Sequence, residues 1–399
     1  MKENKFVLAL LLSSLFIAFL GIGLVVPVFP ELMDEMGISG TTVGYLTAAF
    51  AFAQFIVSPF TGKAVDQYGR KIILVIGLFI FGFSEFLFGI SRVVESLFVS
   101  RLLGGISAAF IMPAVTAFIA DISSLESRPK ALGYMSAAIS TGFIIGPGVG
   151  GFLAEISIRV PFYFAGILGT LAGLLAVIFL KEPTRQADEH QQEAIGLLST
   201  LKKITAAKYL PAVIVIFIST FGLVSFESFF GLFVDHKFQY TPKDIAYILT
   251  GSAILGVIAQ VLLFEKIVDR IGEKAVIGLS LLISGIFVIV TTFVNGFVAI
   301  FVLTVLIFVG FDLFRPAVST YLSRVADNEQ GFAGGMNSMF TSLATIFGPI
   351  IGGWLFDIDI HYSYYFTAIL LLLGAVITVI WANYANRSKQ TETSHFVKY

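Results

Sequence analysis

The chain contains twelve stretches of about 20 mostly apolar residues, each long enough for a helix to cross a lipid bilayer. They lie at about 6–29, 42–61, 72–91, 96–120, 131–153, 161–180, 209–234, 244–264, 275–294, 297–322, 334–355 and 363–383. A soluble fold needs a polar exterior, and only 13% of these residues are Asp, Glu, Lys or Arg. Stretches of this length also exclude a transmembrane β-barrel, whose strands alternate apolar and polar residues. The sequence therefore predicts an all-α polytopic membrane protein.

The positions of Lys and Arg predict which side of the membrane each loop faces. With the N-terminus in the cytoplasm and the helices alternating, most of the 25 basic residues fall on the cytoplasmic side. Only Arg92, Arg159, Lys237 and Lys243 fall outside. We therefore expect a multi-pass protein of the cell membrane with both termini in the cytoplasm.

The second half of the sequence repeats the first. At a shift of 203 residues, segment 63–71 aligns with 266–274 and segment 113–116 aligns with 316–319. Six helices separate equivalent positions, so the two repeats have the same topology, as in transporters that rock two bundles around a central site. We expect six-helix bundles over 1–183 and 209–386, a cytoplasmic connecting loop over 184–208 and a cytoplasmic tail over 387–399.

A glycine-rich basic loop follows the second apolar stretch. Its sequence is Gly62-Lys-Ala-Val-Asp66-Gln-Tyr-Gly69-Arg70-Lys71. A single acid in a tight basic turn suits a conformational latch, because Asp66 can accept hydrogen bonds from a helix N-terminus or from basic residues. A plain cytoplasmic loop with the usual basic residues would have a similar composition.

A second motif lies inside the fifth stretch and reads Gly142-x-x-x-Gly146-Pro147-x-x-Gly150-Gly151. Small residues let helices approach closely, and the proline kinks the helix. Part of the segment also matches the spacing of a dinucleotide-binding loop, but it lies within an apolar helix rather than between a strand and a helix, so we reject nucleotide binding.

Charged side chains within the predicted membrane helices are candidates for function, because each costs at least ~2.5–3.5 kcal/mol to insert. They are Glu85, Arg101, Glu227, Asp312 and Arg315. Asp312 and Arg315 are three residues apart, so they share a helix face and can pair. We expect Glu227 and Asp312 to carry a coupling proton, tuned by Arg315 and Arg101. The alternative is a set of permanent buried ion pairs, and for Glu85 we favour a structural role.

These motifs resemble those of the major facilitator superfamily, and in particular its twelve-span drug:proton antiporters. The loop over 62–71 resembles the superfamily's signature loop, and Arg101-x-x-Gly104-Gly105 resembles the antiporters' second signature. The segments over 142–151 and 20–30 resemble the antiporter motif of the fifth helix and the first-helix signature of twelve-span exporters. The whole length is similar to Gram-positive multidrug efflux pumps.

The resemblance implies proton-coupled efflux of amphipathic, often cationic drugs by alternating access. It places the coupling carboxylates at Glu227 and Asp312 and links Arg101 to proton movement. It also assigns drug contacts to Phe19, Ile22, Gln54, Phe143, Ile144 and Phe226, beside which Phe229, Phe308 and Phe311 are further candidates. Thr345 stands where these relatives have Asn and is a candidate as well. Aromatic faces and carboxylates suit lipophilic cations, although packing in the bundle core or against lipid is nearly as common for a single Phe.

We expect no cofactor, because the chain has no phosphate-binding loop for ATP and the proton gradient would supply the energy. The absence of Cys removes thiolate metal sites, and the 25 basic and 26 acidic residues indicate no nucleic-acid partner. The expected partners are small lipophilic or cationic drugs, protons and the lipid bilayer, with the protein itself a monomer. Alternatives are a dedicated exporter of an endogenous metabolite or polyamine, and, from another class, a channel or receptor. An enzyme is not expected.

Overall fold

The computed structural model describes residues 2–124, 126–183, 209–326 and 330–396. Within them the chain forms helices and no strands, which confirms the predicted fold class. The helices are α1 Lys2–Leu24, α2 Phe29–Met36, α3 Gly40–Tyr68, α4 Arg70–Ile90, α5 Val94–Ile122, α6 Arg128–Ala154, α7 Val160–Phe179, α8 Leu210–Phe238, α9 Pro242–Ile271, α10 Glu273–Thr291, α11 Phe297–Ala326, α12 Gln330–Ile358 and α13 Tyr362–Phe396. The expected connecting loop over 184–208 lies outside the described residues.

Twelve helical segments in the described part of the chain are long and apolar enough to span a membrane, as predicted. The first, Lys5–Met36, joins α1 to α2 through a short 3₁₀ turn over Val26–Val28. Several helices continue beyond their apolar stretch, because polar ends outside the bilayer can keep the helical backbone. Thus α3 runs to Tyr68, and α13 runs to Phe396, into the segment expected to form the tail.

One compact unit contains α1–α7 together with Ser228–Thr250. In it, α4 packs against α5 and α7, while α1 packs against α6 and α3 against α5. Its core is built from aliphatic and aromatic side chains such as Leu15, Leu74 and Phe118, which are at most 1% exposed.

The second compact unit contains the rest of α8, α9 from Gly251, and α10–α13. Here α10 packs against α11 and α13. The equivalent helices of the first repeat are α4, α5 and α7, so the sequence repeat is also a repeat of helix packing.

The glycines of α6 set its distance from α1. A Cβ on Gly142 would lie 2.8 Å from the carbonyl oxygen of Phe16, and one on Gly146 would lie 2.8 Å from that of Leu20. A Cβ on Gly150 would overlap the carbonyl oxygen of Leu24. The three glycines are four residues apart and share one helix face. Only hydrogen fits there, so the two helix backbones are in direct contact.

Candidate functional site

Arg70 is the centre of a network of charges at the end of the first unit that carries the 62–71 loop. Its Nε lies 2.7 Å from Asp121 Oδ2, and its Nη2 lies 3.3 Å from Asp66 Oδ1. The Glu182 carboxylate accepts the backbone N–H groups of Arg70 (2.6 Å) and Lys71 (2.9 Å). Glu182 therefore caps the N-terminus of α4, where a negative charge is favoured by the helix dipole.

Gly69 makes this cap possible. It joins α3 to α4 with φ +106°, a conformation that side chains rarely adopt. A Cβ on Gly69 would also lie 2.8 Å from the Glu182 carboxylate. The predicted loop over 62–71 is otherwise helical, because α3 continues to Tyr68 and α4 begins at Arg70. Gly62 thus lies within α3, with open space where a Cβ would be.

The second repeat carries the same contact with the charges exchanged. At the shift of 203 residues, Arg70 aligns with Glu273 and Asp121 aligns with Arg324. Arg324 Nη2 lies 2.6 Å from Glu273 Oε1 and Arg324 Nη1 lies 3.2 Å from Oε2. In both units an ion pair therefore joins the same ends of equivalent helices, although the Arg324 side chain is 68% exposed and the Arg70 side chain only 9%.

Arg101 forms its ion pair with Glu85 of the neighbouring helix in the same unit. Arg101 Nη2 lies 3.3 Å from Glu85 Oε1, and the guanidinium carbon lies 4.4 Å from the centre of the Phe88 ring. Glu85 is only 3% exposed, so it contacts a neighbour rather than water. The sequence led us to expect that Arg101 tunes the carboxylates of Glu227 and Asp312. In the structure its ion-pair partner is Glu85.

Glu227, Asp312 and Arg315 belong to the second unit. Both acids are half-buried, and Arg315 is exposed. Asp312 packs its carboxylate against the backbone of α9, where a Cβ on Gly256 would overlap Asp312 Oδ2. Although Asp312 and Arg315 share a helix face, no ion pair joins them among the described residues. A half-buried carboxylate that no close ion pair holds can bind a proton or an organic cation.

Aromatic side chains pack near these acids in the second unit. The Phe226 ring lies 6.5 Å from Phe308 and 5.7 Å from Tyr364, in edge-to-face geometry. Phe226, Phe308 and Phe311 are at most 8% exposed. Thr345 is half-buried, and its hydroxyl donates to Thr341 O at 2.9 Å.

Other predicted drug contacts lie in the first unit. The Phe19 and Phe143 rings are 4.9 Å apart, and Phe143 is 45% exposed. Phe19 and Ile22 line a narrow apolar crevice whose wall includes Phe50 and Ser107. The predicted contacts Gln54 and Ile144 are half-buried, whereas Phe229 is fully buried.

Sequence reasoning missed three residues that contact predicted sites and the pairing of a fourth. Glu85 was named, but its pairing with Arg101 was not, since the two residues lie on separate helices. Asp121 could have been found from the internal repeat, because at the shift of 203 residues it aligns with the basic residue Arg324. Gly256 and Glu182 carry no sequence signal that links them to Asp312 or to Arg70.

Comparison with known families fits these observations. The family model of the Major Facilitator Superfamily matches residues 11–263 and, in a second match, 212–398. The chain belongs to the major facilitator superfamily. The two overlapping matches together cover nearly the whole chain, as the internal repeat implies.

Within the major facilitator superfamily, similar curated relatives are drug-resistance proteins. The chain is 58% identical over 381 residues to multidrug resistance protein 1 of Bacillus subtilis (strain 168), covering 96% of this chain and 97% of that protein. It is 49% identical over 389 residues to multidrug resistance protein 2 of the same strain, with 96% and 97% covered. It is 42% identical over 377 residues to quinolone resistance protein NorA of Staphylococcus aureus, with 94% and 97% covered.

Solved structures with the same fold have low sequence identity to this chain. A bacterial homologue of the human lysosomal transporter Spinster, in an inward-facing and unoccupied conformation, superposes with a TM-score of 0.78 at 16% identity, and 96% of each chain is covered. The nucleoside transporter NupG superposes with a TM-score of 0.74 at 16% identity, covering 96% of this chain and 98% of that one. At this identity the likeness establishes the fold of the superfamily alone.

Proposed function

We propose that this protein is a multidrug exporter that exchanges amphipathic, often cationic drugs for protons. The observation that carries the proposal is the full-length similarity to three drug-resistance proteins, at 42–58% identity. Alternating access follows from membership of the superfamily, in which two repeats of equal topology move around a central site.

Glu227 and Asp312 are the proposed proton carriers. Both are half-buried, so part of each side chain remains accessible. Asp312 has no ion pair with Arg315 among the described residues, which supports exchange rather than a permanent lock. In this scheme a cationic drug and a proton compete for the same negative charge, so binding of one favours release of the other.

The proposed drug contacts are Phe19, Ile22, Gln54, Phe143 and Ile144 in the first unit and Phe226, Phe308 and Thr345 in the second. An aromatic face attracts a cation through its quadrupole, and ring faces accept flat lipophilic molecules of varied shape. Phe229 and Phe311, which are 0% and 2% exposed, stay further candidates, since the proposed contact Phe226 is equally buried at 2%.

We further propose that both termini and the end with Asp66 and Arg70 face the cytoplasm, and that the protein acts as a monomer. The excess of Lys and Arg on that side supports the orientation. The network around Arg70, in which Glu182 caps the N-terminus of α4, would then be a cytoplasmic latch whose contacts change as the bundles move.

Efflux of ethidium from energised cells tests this function. Cells that express the protein should lose the dye faster than cells with an empty vector, and an uncoupler should abolish the difference. A dedicated metabolite or polyamine exporter would instead leave ethidium, quinolones and other unrelated drugs inside the cell. Efflux that persists at full rate with the uncoupler would refute proton coupling.

A further inference from the structure

The ion pair between Glu85 and Arg101 lies deep in the first unit, apart from the acids of the second. Glu85 is 3% and Arg101 is 5% exposed. Glu85 lies five residues before the end of α4 at Ile90, about 8 Å along the helix axis. The pair therefore lies within the membrane-spanning region, toward the end opposite the 62–71 loop.

The pair is incompletely bonded for its depth. A buried Arg–carboxylate pair is stable when two parallel hydrogen bonds form and the remaining polar atoms are satisfied. Here a single contact of 3.3 Å joins Nη2 to Oε1. Within the described part of the chain, Glu85 Oε2 and Arg101 Nε have no hydrogen-bond partner. A pair with an open acceptor and an open donor is poorly suited to be a permanent lock.

Arg101 has a second partner that does not depend on the charge of Glu85. Its guanidinium carbon lies 4.4 Å from the centre of the Phe88 ring, and Phe88 is held in turn by Phe162 at 4.4 Å. A cation on an aromatic face retains favourable electrostatics when its carboxylate is neutralised. The site can therefore hold either a neutral pair or a single positive charge.

Few other ionisable groups face this pair. The helix α7 brings Tyr163, whose hydroxyl donates to Gly89 O at 3.1 Å, and Arg159 precedes it, bonded to Gly89 O and to Glu35. From α3 only the exposed Tyr45 lies toward this end, and α1 has no ionisable residue after Lys5. Within α5 itself the other acids, Glu95 and Asp121, lie in its first and last turns. In the described part of the chain, Glu85 is the carboxylate that forms an ion pair with Arg101.

We propose that Glu85 is a further proton-exchanging site of the transporter, with Arg101 as its counter-ion. When the helices of the first unit move apart during the transport cycle and admit water, a proton from that water binds Oε2 of Glu85, the net charge of the pair changes from zero to plus one, and the guanidinium keeps its place on the Phe88 ring. Release of the same proton to water restores the ion pair. The assignment extends the proposed proton coupling to the first unit, and it rests on that proposed function for its role in transport.

Infrared difference spectra of the purified full-length protein in lipid nanodiscs test the site directly. In the difference between spectra recorded at about pH 5 and about pH 8, the wild type should show the carbonyl band of a protonated carboxyl group. Glu85→Gln should lack this band. Glu227→Gln and Asp312→Asn should keep this band, and so should Glu95→Gln, which removes an exposed acid at the start of α5. If Glu85→Gln does not fold, Glu85→Asp serves instead, because it keeps the carboxyl group and should shift the band.

A spectrum of Glu85→Gln that retains every carboxyl band of the wild type would overturn the assignment, since Glu85 would then stay ionised throughout. The spectra do not require transport. Efflux that is insensitive to an uncoupler would therefore refute the proposed function, whereas the carboxyl band would still show whether Glu85 binds a proton.

Discussion

Arg70 Nε lies 2.7 Å from Asp121 Oδ2, and the aligned positions of the second repeat hold the same contact with acid and base exchanged, as Glu273 and Arg324. The Arg70 and Asp121 side chains are 9% and 7% exposed. Removing one member of such a pair leaves a buried charge without its partner, which costs about 3–5 kcal/mol. The same helix-to-helix ion pair thus occurs in both repeats, with acid and base exchanged.

We expect Arg70→Gln to lower the thermal unfolding temperature of the purified protein clearly. The exchange Arg70→Glu with Asp121→Arg should recover most of the loss, because the second repeat already uses those charges at these positions. Glu273→Gln is the matched control, and its effect should be smaller, since Glu273 is itself only 10% exposed but the Arg324 charge that it leaves behind is 68% exposed and stays solvated. Equal losses for Arg70→Gln and Glu273→Gln would contradict the role of burial.

Gly150→Ala should destabilise the packing of α6 on α1. The added methyl group would overlap the carbonyl oxygen of Leu24, and backbone atoms cannot move aside as a flexible side chain can. We expect a lower yield of folded protein and a destabilisation of about 1–3 kcal/mol. Gly133→Ala on the same helix is the control, because a Cβ there meets open space. Similar unfolding temperatures for the two variants would show that the close approach is not required.

Gly256→Ala should disturb transport more than folding. Its methyl group would overlap Asp312 Oδ2, so the carboxylate must rotate away from α9. If Asp312 carries a proton, we expect the rate of drug efflux to fall by about tenfold, equivalent to ~1.4 kcal/mol, and its pH dependence to shift. The control is Gly278→Ala, where the nearest atom to a Cβ is an ordinary 3.5 Å away. An unchanged pH profile in Gly256→Ala would argue against Asp312 as a carrier.

Hydropathy and repetition were sufficient to predict the fold. Twelve apolar stretches gave twelve membrane helices, because in lipid a helix is the simple way to satisfy every backbone hydrogen bond. The spacing of Gly142, Gly146 and Gly150 predicted close helix contact, but it did not say that α1 was the partner. That choice depends on tertiary packing, which local patterns do not contain.

The candidate site was predictable in its residues and less so in its contacts. A charge in a membrane helix is conspicuous, so Glu85, Arg101, Glu227 and Asp312 stood out from the sequence. Their partners did not, because Glu85 and Arg101 lie on different helices and Gly256 has no polar atom in its side chain. Asp312 and Arg315 show the opposite case, in which helical spacing permitted a pair that the structure does not form.

The most direct test of proton-coupled drug export uses proteoliposomes with an imposed pH gradient, comparing the wild type with Glu227→Gln, Asp312→Asn and the exposed-acid control Glu95→Gln. The account predicts that the gradient drives ethidium transport by the wild type and by Glu95→Gln, and that both membrane-acid variants lose this drive although they are inserted and folded. Gradient-driven transport at the wild-type rate in both Glu227→Gln and Asp312→Asn would contradict it.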